Sequence, residues 1–129
     1  MNNQIVANRI KTPDGTILQS YHRHDYKTYT DKNGKEYMVD GGLDYTRRIV
    51  HDDAPYIELS LKMNDSFVEI REAFHWGTRG VDGKQPLTWV PLADMTTEHI
   101  FAIQDNCKLE PWVKELFDKE LEYRDESRD

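Results

Sequence analysis

The chain has 129 residues and a formal net charge of −7, a length that suits one domain and a charge that disfavours a general binder of duplex nucleic acid, which needs many Lys and Arg contacts with phosphate. A single cysteine, Cys107, excludes an internal disulfide and a cysteine-rich zinc site, and it fits a reducing compartment. No apolar run approaches the roughly 18 residues of a membrane span, and the polar opening MNNQIVANRIK lacks the apolar stretch of a signal peptide. The expectation is a soluble cytoplasmic protein whose residues 1–129 form a single domain, with a β-rich motif region over 1–50 and a mainly helical region over 65–125.

Charge is unevenly spread. Residues 1–48 carry eight Lys/Arg against six Asp/Glu, residues 49–109 five against ten, and residues 110–129 four against eight. A compact phosphate-bearing ligand suits the basic N-terminal third, whereas the acidic remainder would repel a long polyanion.

In chain order, Ile5 to Thr12 is a β-rich run closed by Pro13-Asp14-Gly15-Thr16, with Pro fixing φ and Gly supplying positive φ. Ile17 to Asp25 is expected to return antiparallel. A second pair, Tyr26 to Asp31 and Glu36 to Asp40, flanks Asn33-Gly34, a dipeptide suited to a type I′ hairpin turn. Gly41-Gly42 breaks the strand, and residues 43–50 read equally as strand or short helix.

The second half reads as helical. Ser66-Phe67-Val68-Glu69 has the form of a capping box, Phe67, Ile70 and Phe74 make one apolar stripe, and Gly77 is the expected stop. Asp82-Gly83 between GTR and QPLTWVPL predicts a further hairpin. The next helix is expected over Thr97 to Asn106, capped by Asp94 or Thr96, with Ile100, Ile103 and Cys107 on one face. A last helix starts with Pro111 and turns Val113, Leu116, Phe117 and Leu121 inward, with the terminal RDESRD fraying. No repeat or low-complexity linker is evident.

The segment from Ser20 to Arg48 concentrates the chemistry. On a strand, His22 and His24 would share one face while Arg23 and Asp25 take the other. Two such imidazoles could share a metal with Asp40 or Asp44, or they could simply hydrogen-bond locally. With two imidazoles and no cysteine partner the site is read as metal-free, and no cofactor is expected. Asp40-Gly41-Gly42-Leu43-Asp44-Tyr45-Thr46-Arg47-Arg48 combines adjacent glycines, which can expose backbone N–H groups as an anion nest, with an arginine fork for phosphate or carboxylate. The competing reading is a plain turn whose arginines pair with nearby carboxylates. The ligand-binding set is therefore His22, His24, Asp25, Asp40, Gly41, Gly42, Asp44, Tyr45, Arg47 and Arg48.

Other signals are weaker. His75-Trp76 would end the first helix, Trp89 and Trp112 read as core anchors, His99 as a surface or cap residue, and Cys107 as a small hydrophobe. Walker, G-x-S-x-G, H-E-x-x-H and Rossmann patterns are missing, so no catalytic residue is assigned.

The residues Thr12-Pro13-Asp14-Gly15, His22-Arg23-His24-Asp25-Tyr26, Asp31-Lys32-Asn33-Gly34 and Asp40 to Arg48 together resemble a family of small uncharacterised tailed-bacteriophage proteins. That pattern runs C-x-x-C-G, H-x-H-D-aromatic, C-x-C-G, D-G-G-x-D-Y-x-R-R. WVPLADMTTEHIFAI also resembles a segment of other phage accessory proteins. Here both knuckles lack their cysteines, which implies that ordinary turns replace a metal staple while the polar motif remains. The resulting expectation is an α+β fold, with N-terminal antiparallel hairpins, zinc-ribbon-like without the cysteines, followed by about three helices and a further hairpin.

The resemblance implies a phage-encoded protein working in the cytoplasm of an infected bacterium, and small acidic phage proteins of that kind are often anti-defence or host-takeover factors. The polar, arginine-bearing cluster without an evident nucleophile adds the expectation that it acts by binding a nucleotide-type signal or a host protein rather than as an enzyme. The alternative is a small metal-dependent phosphodiesterase or nuclease, with His22 and His24 as ligands or general base and acid and an aspartate completing the set. An assembly role with homo-oligomerisation is a third expectation.

Overall fold

The computed structural model describes residues 3–80 and 82–126 and divides into two compact units, residues 1–73 and 74–129. The architecture is α+β, with antiparallel hairpins first and helices later.

The first unit contains β1 (Ile5–Lys11), β2 (Ile17–Ser20), β3 (Lys27–Thr30), β4 (Glu36–Asp40), β5 (Arg47–Ile49), β6 (Ile57–Glu58), β7 (Leu61–Lys62) and helix α1 (Phe67–Ala73). Strand β1 is the hub. It pairs with β2 along one edge, with Asn8 opposite Ser20 and Lys11 opposite Ile17. Its other edge is shared by β6, opposite Ile10 and Lys11, and by β7, opposite Ile5 and Ala7, with a register shift between those two residues. Val6, Ala7, Asn8 and Ile10 are all buried, as expected of a strand covered on both faces. Strands β3, β4 and β5 make a second antiparallel sheet in sequence order. Ile10 of one sheet packs with Tyr37 and Val39 of the other, and Leu18, Tyr29, Val50 and Tyr56 close around them.

The turns differ in detail from expectation. At Thr12–Thr16 the Gly15 N–H donates to Thr12 O (2.9 Å) and the Thr12 N–H to Thr16 O (2.8 Å). The Asp31–Lys35 turn repeats this pattern at 3.0 and 2.9 Å. Only the glycine of each turn has positive φ, 94° at Gly15 and 80° at Gly34, so Asn33-Gly34 is not a two-residue type I′ turn. Asp31 Oδ1 accepts from the Asn33 and Lys35 N–H groups (2.9 Å each), and this Asx cap selects the longer right-handed turn.

The return strand ends at Ser20, so His22–Asp25 is not strand. The Asp25 N–H donates to His22 O at 2.9 Å and His24 takes φ 63°, making a tight turn. Residues 43–50 resolve into a turn followed by β5. Strands β6 and β7 have no counterpart among the expected elements.

The second unit contains β8 (His75–Thr78), β9 (Thr88–Pro91), a 3-10 turn over Leu92–Asp94, α2 (Thr97–Asn106) and α3 (Pro111–Glu126). Helix α1 stops at Ala73, and His75-Trp76-Gly77 are strand rather than helix end. Gly77 sits opposite Trp89, and a Cβ there would meet the Trp89 ring at 3.0 Å, so the glycine admits the indole rather than ending a helix. The hairpin expected around Asp82-Gly83 is the β8–β9 pair. Helix α2 has the expected bounds, with Thr96 Oγ accepting the His99 N–H, and Ile100 and Ile103 are buried. Cys107, expected on the apolar face, is exposed at the helix end. In α3 Val113, Leu116 and Phe117 are buried, and Glu120 joins them, while Leu121 is half-buried. Trp76 and Phe74 pack edge-on against Phe117, and Trp112 against Phe74. Of the segment RDESRD, expected to fray, Arg124–Glu126 are helical, and 127–129 lie outside the described residues.

Candidate functional site

Two turns separated by some fifteen residues of sequence meet in the first unit. The His22–Asp25 turn rests on the Gly41–Tyr45 turn so closely that a Cβ on Gly42 would lie 2.3 Å from the His22 carbonyl carbon, and one on Gly41 would lie 2.0 Å from Tyr45 O. Gly41 and Gly42 take φ 103° and 55°. Both conformation and contact demand glycine. Ser20 ties the turns together: its buried hydroxyl donates to Asp25 O (2.6 Å) and accepts the Gly42 N–H (2.8 Å). That N–H is therefore spent internally rather than offered to an anion.

Beneath them lies Asn8. On β1 it has the same phase as Val6 and Ile10, facing the core, and its Nδ2 donates to Asp40 O (3.1 Å), Gly42 O (2.9 Å) and Tyr45 O (3.5 Å). Three carbonyls around one NH2 fix the amide orientation, because a flipped oxygen would face three acceptors. Neither Asn8 nor Ser20 was among the expected site residues. An asparagine at a core-phase position in IVANRIK was the available signal for the first; Ser20 had none.

Above this base a polar chain runs across both turns. Arg23 Nε donates to His24 Nε2 (3.3 Å), which leaves the proton of a neutral imidazole on Nδ1, 2.8 Å from Tyr45 Oη. The phenol then has its own hydrogen for Asp40 Oδ2, at 3.5 Å. Asp40 Oδ2 also lies 3.5 Å from Arg47 Nη1, the carboxylate almost wholly buried and the arginine side chain 64% exposed. This follows from pairing of β4 with β5, in which Asp40 and Arg47 are direct partners. Asp40 Oδ1 is buried without a hydrogen-bond partner.

Asp25 organises the other side. Its Oδ2 accepts from the Tyr21 N–H (2.7 Å) and from Lys27 Nζ (3.1 Å), and its Oδ1 stands 3.9 Å from His22 Nε2. Lys27 Nζ also sits 4.8 Å from the centre of the Tyr21 ring. Asp44 is exposed on the wall of an adjoining cleft of about 370 Å³, which Tyr45 and Lys62 also line.

The structure thus brings together His22, His24, Asp25, Asp40, Gly41, Gly42, Tyr45 and Arg47, with Asp44 at the margin. Arg48 is not with them. Successive strand residues face opposite ways, and Arg48 turns to Glu58 (2.8 Å) and Ser60 (3.0 Å) with its side chain only 16% exposed. Burial opposes ionisation of Glu58, but the hydrogen bonds from Arg48 and Ser60 outweigh it and hold the carboxyl below its ordinary range. The two arginines therefore form no fork. The imidazoles do not share a strand face, and among the described residues no three His, Cys, Asp or Glu side chains gather as a metal-ligand set.

At the Thr12–Thr16 turn, Asp14 links the turn to β3: it accepts from Thr12 Oγ1 and from Tyr29 Oη (2.5 Å). These bonds hold Asp14 well below the carboxylate range and push the Tyr29 phenol above its own. Among the described residues no helix is long and apolar enough to cross a membrane. Comparison of the chain with protein-family models, curated proteins and solved structures finds no match.

Proposed function

We propose that the protein acts by binding, as an accessory factor of the tailed-phage type that counters or redirects a host system. The face around His22, His24, Tyr45 and Arg47 is its recognition surface, and a small phosphate-bearing molecule of the nucleotide-signal class is its ligand. The observation that carries this reading is the exposed Arg47 guanidinium at the buried Asp40 carboxylate, which Tyr45 Oη links in turn to the exposed His24.

Asp40 meets the exposed guanidinium through one nitrogen, which leaves its other donors for an anion, and guanidinium geometry suits phosphate oxygens. The exposed Arg23 adds positive charge beside His24. The adjoining cleft lies within the size range of small-molecule sites. The buried network under the surface gives rigidity without supplying an activated nucleophile, which favours recognition over turnover. The phage context rests on the H-x-H-D and D-G-G-x-D-Y-x-R-R resemblance.

Calorimetry with a panel of cyclic mono- and dinucleotides tests the proposal. The parent protein binds at least one of them, and Arg47→Ala weakens that binding by roughly tenfold, the loss of one charge-assisted hydrogen bond. No heat with any member of the panel would remove the nucleotide reading.

A further inference from the structure

The second unit holds a cleft of about 540 Å³ between the β8–β9 hairpin, the 3-10 turn and helix α2. It shares no residue with the face described above. Val90, Met95 and Ala102 give it an apolar lining, with Met95 buried at 3% exposure. The ring of His99, half-buried, forms part of the wall. The lining also includes Asp94 and Glu98, both exposed and neither in a salt bridge among the described residues. No Lys or Arg is among the described residues that line it.

We propose that this cleft binds a small organic ammonium ion, an amine carried on an apolar body. An apolar lining takes up hydrocarbon, at about 25 cal/mol per Å² removed from water. Two like charges in the lining, with no Lys or Arg among the described lining residues, are complementary to an ammonium group and repel a carboxylate or phosphate. The surroundings reinforce that sign, since residues 74–129 carry seven Lys/Arg against twelve Asp/Glu. At the start of α2 the His99 N–H is taken by Thr96 Oγ at 3.1 Å, and Glu98 places a carboxylate in that first turn. The volume exceeds that of a bare ammonium ion many times over, so the apolar body is required to fill it.

The test uses the full chain and three probes of one shape: phenethylammonium, its neutral counterpart 2-phenylethanol, and the anion 3-phenylpropanoate. The Met95 methyl and His99 ring signals in NMR spectra are the readout. Phenethylammonium shifts both signals saturably and binds roughly fivefold or more tightly than the alcohol, the scale of one solvated charge pair at contact distance. Raising salt from about 0.01 M to about 1 M abolishes that advantage while leaving the alcohol unaffected. Glu98→Gln with Asp94→Asn brings phenethylammonium down to the alcohol's affinity. Equal binding of the alcohol, shifts of the same signals by 3-phenylpropanoate, or no saturable shift by phenethylammonium would overturn the proposal. The salt arm uses unaltered protein and decides the matter even if the variant does not fold.

Discussion

The side-chain amide of Asn8 donates to the carbonyl of Gly42 at 2.9 Å from inside the core, so a residue of the first strand sets the shape of a turn more than thirty positions later. The same amide reaches the carbonyls of Asp40 and Tyr45. Asn8→Leu removes the donor and leaves these acceptors buried, at a cost of about 2–4 kcal/mol. Asn8→Asp costs more, because a carboxylate replaces the amide beside three carbonyl oxygens. Urea unfolding measures both, and a loss below about 0.5 kcal/mol for Asn8→Leu, the scale of an ordinary surface change, would contradict this role.

Gly42 and Gly34 both take positive φ, but only Gly42 is crowded. At Gly34 an added Cβ meets nothing within 4 Å, whereas at Gly42 it meets the backbone of His22 at 2.3–2.5 Å. Gly34→Ala should therefore cost only the left-handed strain, about 1 kcal/mol. Gly42→Ala must also part the two turns, and a loss of about 3–5 kcal/mol is expected. Denaturation midpoints of the two variants, compared at constant slope, check the difference.

Helices α2 and α3 were legible because each carries its own start signal, Thr96 and Pro111, and an apolar period that needs no partner to be seen. The hairpins around Gly15 and Gly34 were legible in position, though the Asx cap of Asp31 changed the turn type. Strands β6 and β7 were not, because two-residue strands show no alternation and exist only as partners of β1. The His22–Asp25 segment misled for a definable reason: His-x-His mimics period two, while its true conformation depends on Gly42, Ser20 and Tyr45. The same dependence explains why Arg47 and Arg48 look equivalent in sequence and diverge in space. Pairing register, a tertiary property, assigns one to Asp40 and the other to Glu58.

The Asp14–Tyr29 bond makes stability respond to pH at both ends. The folded Asp14 carboxyl titrates below its ordinary value, held there by hydrogen bonds from Thr12, Tyr29 and Thr16. Its contribution is therefore complete above the unfolded carboxylate pKa and fades as pH falls towards the folded one. Tyr29 titrates above its ordinary value, chiefly through the bond to Asp14, so its contribution is complete below the unfolded phenol pKa and is lost as pH rises through the folded value. Tyr29→Phe should flatten the alkaline limb of a stability–pH profile and shallow the acid one. An unchanged alkaline limb would show that the phenol is not coupled to folding.

Arg48 should behave as a structural residue and Arg47 as a surface one. Arg48→Ala removes a mostly buried guanidinium that joins β5 to Glu58 and Ser60, for a loss of about 1–3 kcal/mol. Glu58 then keeps only the Ser60 hydrogen bonds against the burial that opposes its ionisation, so its carboxyl pKa rises, and NMR titration follows it directly. Arg47→Ala removes an exposed guanidinium but also the cation 3.5 Å from the buried Asp40 carboxylate, so it should cost about 1 kcal/mol, less than Arg48→Ala. Reversed magnitudes would undo the division of labour between the pair.

In the second unit Arg124 contacts Glu120, a carboxylate with 0% exposure on the inner face of α3. Arg124 Nε meets Glu120 Oε2 at 2.6 Å, and the rest of the guanidinium donates to Thr97 Oγ1 and to the carbonyls of Leu92 and Met95. One side chain thus neutralises a buried charge and serves the acceptors of the 3-10 turn that leads into α2. Arg124→Ala withdraws both functions and should cost about 3–5 kcal/mol. Glu120→Gln keeps the shape and removes the charge, so its cost is smaller, and the double variant Glu120→Leu with Arg124→Leu should recover part of the loss, since well-packed apolar residues often replace a buried ion pair without penalty. A double-mutant cycle in urea measures the coupling; additivity of the two leucine substitutions would mean that the pair is not the lock between α3 and the turn.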